Sequence, residues 1–101
     1  ASLHAWSKTL SRELAPFGIT ANVIVPGRIA TDRIKFLDTA RAERENKRVE
    51  EIELDSLKTI PMGRMGRPEE YGQVAAFLAS QAASYITGSV IRVDGGNIPN
   101  I

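Results

Sequence analysis

Apolar positions change their spacing several times along this chain, and each change marks an element. Leu3, Trp6, Leu10 and Leu14 recur every three or four residues, which predicts a helix over 1–15. His4, Lys8 and Arg12 fall on another face of it, and Pro16 and Gly18 end it. Over 19–25 the sequence ITANVIV is apolar on both parities except at Thr20 and Asn22. Such continuity is the mark of a parallel strand buried on both faces. Pro26-Gly27 closes it.

The pattern then weakens. Residues 32–57 are charged and irregular, and positions 41–55 hold four basic and six acidic residues. Val49, Ile52 and Leu57 give only a faint apolar edge, so one or two solvated helices are expected. Glu43 and Lys47 stand in the favourable i,i+4 order. IPMGRMGR at 60–67 reads as a loop. Pro68 suits a first helical turn, and Glu69 and Glu70 suit the helix dipole there. Tyr71, Val74, Ala75 and Leu78 continue that helix to about residue 80. SYITG at 84–88 is a turn, SVIRV at 89–93 a second strand, and Asp94-Gly95-Gly96 ends it. The tail NIPNI has no periodic pattern.

Strand, helices, strand, with strands of the buried type, predicts a right-handed parallel crossover. Two strands with about three to four helices make an incomplete sheet, and the first strand would keep an open apolar edge. The first residue is Ala1, already inside a helical pattern. The expectation is a chain whose beginning is missing, and whose first strand needs a neighbour from elsewhere in the same fold.

Composition narrows the function classes. With 101 residues and 43% hydrophobic content, one small domain with a core is expected. Thirteen basic residues face twelve acidic ones, a net charge of +1. That balance gives no reason to expect a nucleic-acid or membrane partner. No apolar run approaches the roughly 20 residues of a membrane span. Cysteine is absent, which excludes disulfides and thiolate chemistry and fits a cytoplasmic protein. No His, Cys or carboxylate cluster has metal-ligand spacing, so no metal is expected. His4 has no partnering nucleophile and reads as a solvated or interface residue. Met62 and Met65 read as packing or lid contacts.

Three segments together carry a family resemblance: ASLHAWSKTLSRELAPFGITANVIVPGRIATD, IPMGRMGRPEEYGQVAAFLAS and ASYITGSVIRVDGG. They cover about 70 of the 101 residues. The chain resembles the C-terminal portion of a short-chain dehydrogenase/reductase, especially the 3-oxoacyl-(acyl-carrier-protein) reductases and glucose dehydrogenases. The resemblance implies an α/β fold, the C-terminal part of a Rossmann-type doubly wound parallel sheet. Residues 1–101 would then be part of a single NAD(P)-binding domain, with 33–58 as a substrate-lid insert.

The resemblance also implies roles for particular residues. In an open parallel sheet, ligands sit beyond the carboxyl ends of the strands. Pro26 and Gly27 stand at such an end, and Gly27, lacking a Cβ, would let backbone approach a flat ring. The backbone N–H and C=O of Ile29 would pair with the cofactor's carboxamide. Thr31 would offer a hydroxyl to the carboxamide or the pyrophosphate, or cap a helix. Pro26, Gly27, Ile29 and Thr31 are thus the expected cofactor-binding residues, for NAD or NADP. Arg28 is left between solvent and a phosphate.

The family's glycine-rich turn, catalytic Ser and Tyr-x-x-x-Lys pair do not occur here. Tyr71 and Tyr85 are followed four residues on by Ala75 and Ser89, so neither supplies that pair. No catalytic residue is expected within these 101 residues. The parent protein is expected to move a hydride between NAD(P)(H) and a carbonyl or alcohol carbon, a 3-oxoacyl thioester being one such substrate. The family also implies a homo-oligomer, dimer or tetramer. It would be built partly through the first helix and the Gly88–Gly96 segment, although the stripe at Leu3, Trp6, Leu10 and Leu14 is assigned here first to the sheet. The alternative is a truncated, non-enzymatic binding or oligomerisation module.

Overall fold

The computed structural model describes residues 2–99; Ala1, Asn100 and Ile101, at the ends of the expected first helix and tail, lie outside the described residues. Its elements run α1 (Ser2–Leu14), β1 (Val23–Pro26), α2 (Asp32–Glu45), α3 (Val49–Leu57), α4 (Pro68–Leu78) and β2 (Val90–Val93). Short 3₁₀ turns follow α1 at Ala15–Phe17 and α4 at Gln81–Ala83. The two strands pair in parallel, as expected of a strand–helix–strand unit. The chain forms two compact units. One holds the described residues up to Val25 together with Gly72–Arg92; the other holds Pro26–Tyr71 and the segment from Val93.

In the first unit, Gly18 ends the helical run by taking a left-handed conformation at φ 74°, and its N–H donates to the Ala15 carbonyl. The expected strand over 19–25 begins only at Val23. Asn22 explains the shortfall. Its side-chain amide donates to the Ile86 carbonyl at 3.1 Å, and its Oδ1 accepts from the Ser89 N–H at 3.0 Å. The Ala21 N–H donates to the Thr87 hydroxyl at 3.0 Å. Side chains thus satisfy groups that a strand ladder would otherwise pair.

Within this chain, α1 does not bury its whole apolar stripe. Ser7 and Ser11 are its buried residues, while Leu3 and Trp6 are 61% and 62% exposed. Ser11 lies on the side that meets the turn at Gly88. A Cβ on Gly88 would fall 2.8 Å from Ser11 Oγ and 2.9 Å from Lys8 Nζ. Glycine at 88 and the short Ser11 side chain permit that approach, with Lys8 passing alongside. Within this chain Leu10 and Leu14 are half-buried, and Leu3 and Trp6 are exposed.

In the second unit, the charged region folds as α2 and α3, packed on one another around Ala42 and Ile52. Ile52 is fully buried, so the faint apolar edge read from the sequence is the seam between the two helices. The expected Glu43–Lys47 pair does not form. Asn46 turns left-handed at φ 52° and ends α2, which carries Lys47 off the helical face. Glu45 takes the ion pairs instead, from Arg41 at 2.6 Å and Lys47 at 3.6 Å. No helix of the described residues is long and apolar enough to cross a membrane.

Candidate functional site

β1 ends on Pro26, and the next residue is held against the end of β2. The Gly27 N–H donates to the Val93 carbonyl at 2.9 Å. A Cβ on Gly27 would lie 2.7 Å from both Cα and Cβ of Asp94. Gly27 does not adopt a positive φ. Glycine is needed here for space against the neighbouring backbone, and not for an unusual conformation. The missing Cβ, expected to admit a ligand, points toward Asp94. Asp94 is itself anchored, its carboxylate accepting from the Gly96 and Ile98 N–H groups at 3.0 and 3.1 Å.

Beyond Gly27 the backbone makes a single parallel bridge, Ile29 with Gly66. Gly66 N–H donates to the Arg28 carbonyl at 2.8 Å, and the Ala30 N–H donates to the Gly66 carbonyl at 2.9 Å. In extended backbone the N–H and C=O of one residue point to the same side, opposite to those of its neighbours. The bridge uses the groups of Arg28 and Ala30. The Ile29 N–H and C=O therefore face away from Gly66, and neither has a partner among the described residues. Ile29 itself is buried. The result is a paired donor and acceptor on rigid backbone.

Thr31 is the N-cap of α2, its hydroxyl oxygen accepting from the Ile34 N–H at 3.3 Å. The hydroxyl proton is left to donate elsewhere. Pro26, Gly27, Ile29 and Thr31 all line one pocket of about 370 Å³. Sequence reasoning missed the other four residues of its wall: Arg33, Ile34, Pro68 and Tyr71. Pro68 and Tyr71 had been read only as a helix start and an apolar stripe. Their i,i+3 spacing places them on one side of α4, which was the available signal.

Arg28, left between solvent and a phosphate by the sequence, has a partner within the chain. It ion-pairs with Asp38 of α2 at 2.5 Å, the Asp38 side chain being almost wholly buried. Arg28 Nε is buried with no hydrogen-bond partner. A second pocket of about 300 Å³ lies beside Asp38 and is lined also by Asp32, Lys35, Glu53 and Met65. Met65 is on the wall of that pocket, whereas Met62 is exposed. Among the described residues no group of His, Cys, Asp and Glu could hold a metal ion.

The loop before α4 is tied down by charge. Arg64 forms a bidentate pair with Glu70 at 2.8 and 2.9 Å, and the Arg67 N–H donates to the same carboxylate at 2.8 Å. Arg64 first, then the Arg67 N–H, lowers the Glu70 pKa from 4.5 to about 2. The unfolded chain therefore binds this proton more readily than the folded one. The clamp's contribution is complete above about pH 4.5 and is lost as pH falls toward about 2. Urea midpoints of the wild type and Glu70→Gln, taken across that window, should converge as pH falls. A gap that stays constant from pH 6 to pH 2 would show that the clamp contributes nothing by ionisation.

A parallel strand pair joined by helices, with a pocket built where the strands end, defines a segment of an open α/β fold of the Rossmann type. The chain belongs to the family described as enoyl-(acyl-carrier-protein) reductase, whose profile matches residues 1–97. It is 43% identical over 96 residues to the 3-oxoacyl-(acyl-carrier-protein) reductase FabG of Aquifex aeolicus, covering 95% of this chain and 34% of that protein. Two solved structures superpose closely. A short-chain dehydrogenase family protein from Francisella tularensis gives a TM-score of 0.93 at 27% identity, over 98% of this chain and 41% of that one. YwfH, an NADPH-dependent reductase involved in bacilysin biosynthesis, gives 0.91 at 42% identity, over 99% and 38%. The resemblance read from the three sequence segments is borne out. The chain spans about a third of the length of the curated relatives it matches.

Proposed function

We propose that this chain forms the nicotinamide-end wall of the cofactor pocket in an NAD(P)-dependent oxidoreductase that interconverts carbonyl and alcohol compounds. The observation that carries this reading is the free N–H and C=O of Ile29, beside Pro26, Gly27 and Thr31 on a single pocket. A carboxamide presents one acceptor and one donor, and a rigid backbone pair of that kind matches it. Proline and glycine at the strand end supply a flat apolar wall for a ring. The Thr31 hydroxyl adds a donor close by. When bound, the cofactor supplies or accepts the hydride; these residues hold and orient it.

The relatives support the chemistry and suggest its substrates. FabG of Aquifex aeolicus is a 3-oxoacyl-(acyl-carrier-protein) reductase, which makes a 3-oxoacyl thioester the first substrate class to try. YwfH is NADPH-dependent, which favours NADP(H) here. The groups that handle the substrate proton are assigned to the rest of the fold. Exposed Leu3 and Trp6 on α1 are assigned to contact with that part or with a second subunit of a cytoplasmic homo-oligomer. The insert 33–58 is assigned to covering the substrate.

The test uses the full protein that carries this sequence. NADPH and NADH are titrated by fluorescence, and oxidation of each is followed with a panel of 3-oxoacyl thioesters and simple ketones. Saturable NADPH binding with turnover of at least one carbonyl is expected. Binding without turnover of any of them would point to the non-enzymatic module, and absence of binding would end the cofactor reading.

A further inference from the structure

The strand-end pocket contains one charged side chain. Arg33, in the first turn of α2, lines it together with apolar residues and the hydroxyl-bearing Thr31 and Tyr71. No carboxylate lines this pocket. The neighbouring basic residues lie away from this pocket. Arg28 pairs with Asp38, and Lys35 lines the second pocket among Asp32, Asp38 and Glu53. The side chain of Arg33, on α2, makes no ion pair and no hydrogen bond with the described residues.

An arginine on open surface is satisfied by water. This one borders a concave, mostly apolar wall, where a bound molecule displaces that water and the guanidinium needs an acceptor. Its planar fork of donors suits two oxygens of a carboxylate or phosphate. The N-terminus of a 14-residue helix adds positive potential at the same place. The Tyr71 hydroxyl, also without a partner among the described residues, supplies a further donor.

We propose that Arg33 is the anion-recognising residue of this pocket, binding a carboxylate or phosphate oxygen of the small molecule held there. The inference deepens the cofactor reading and rests on it for the occupant's identity. Two sources share the chemistry: a phosphate of the cofactor, or an anionic group carried by the substrate near its carbonyl.

Arg33→Ala and Arg33→Lys in the full protein separate them. Arg33 is exposed, so neither change disturbs the core. A lost charge-assisted pair is worth roughly a tenfold effect or more. If the cofactor supplies the anion, Arg33→Ala raises the NADPH dissociation constant by that factor, and acetoacetate and ethyl acetoacetate lose efficiency alike. If the substrate supplies it, kcat/KM falls for acetoacetate while ethyl acetoacetate and NADPH binding are unmoved. Arg33→Lys, a point charge without the fork, restores part of the loss in either arm. Unchanged NADPH affinity together with an unchanged acid-to-ester ratio overturns the proposal. Should the wild type bind no nicotinamide cofactor, the functional reading fails separately. Inorganic pyrophosphate then decides the site. Thermal stabilisation of the wild type that vanishes in Arg33→Ala supports Arg33, and equal behaviour of the two proteins sinks it.

Discussion

Gly27→Ala lowers the stability of the protein by about 3 kcal/mol, at the upper end of what one added methyl costs in a packed site. The methyl would enter 2.7 Å from Asp94 Cα, and Cα cannot rotate out of the way. Relief requires moving the β1 end away from β2, which strains the Gly27–Val93 hydrogen bond at 2.9 Å. It also disturbs Asp94, whose carboxylate holds the Gly96 and Ile98 amides. The midpoint of urea unfolding is the measurement. A glycine kept only to let a ring approach would behave otherwise, with an unchanged midpoint and weakened NADPH binding. An unchanged midpoint therefore refutes the packing account of Gly27.

Asp38→Ala should cost about 2–3 kcal/mol. Breaking a buried ion pair from one side typically costs somewhat more, and Arg28, with 22% of its side chain exposed, recovers some hydration. Its Nε already lacks an acceptor, so the guanidinium would be left with little compensation. Replacing both partners by apolar residues, Arg28→Met with Asp38→Leu, should return much of the loss, because the cost lies in the stranded charge. A double-mutant cycle on unfolding midpoints reads the coupling directly. Additive single and double losses would show that the pair is a surface contact without consequence. The pair also fixes α2 to the segment that follows Gly27, so Asp38→Ala should weaken cofactor binding beyond its effect on stability.

The elements that were legible in the sequence are those whose own residues decide them. Pro16 and Gly18 stop α1, and Pro68 followed by Glu69 and Glu70 starts α4. Pro26, Gly27, Ile29 and Thr31, expected from the family resemblance to bind a cofactor, line one pocket because they are consecutive or nearly so. A strand end followed by a proline, a glycine and a capping threonine brings Pro26, Gly27, Ile29 and Thr31 to one place without help from distant chain.

What local reading missed depends on residues far away in sequence. Asn22 looked like an interruption in a strand, and became a replacement for its ladder only when residues 86–89 came alongside. Arg28 had no assigned partner until α2 presented Asp38. Arg33, Pro68 and Tyr71 share a wall because the chain returns through the Ile29–Gly66 bridge.

The sequence by itself determined the order of elements, the strand-end position of the pocket and the family, since period, turn chemistry and motif spacing are properties of short stretches. Tertiary structure alone decided why Gly27 must be glycine, which face of α1 is buried and which cation meets the pocket. Each of these is settled by the distance between atoms separated by many residues, and no pattern of neighbours along the chain encodes that distance.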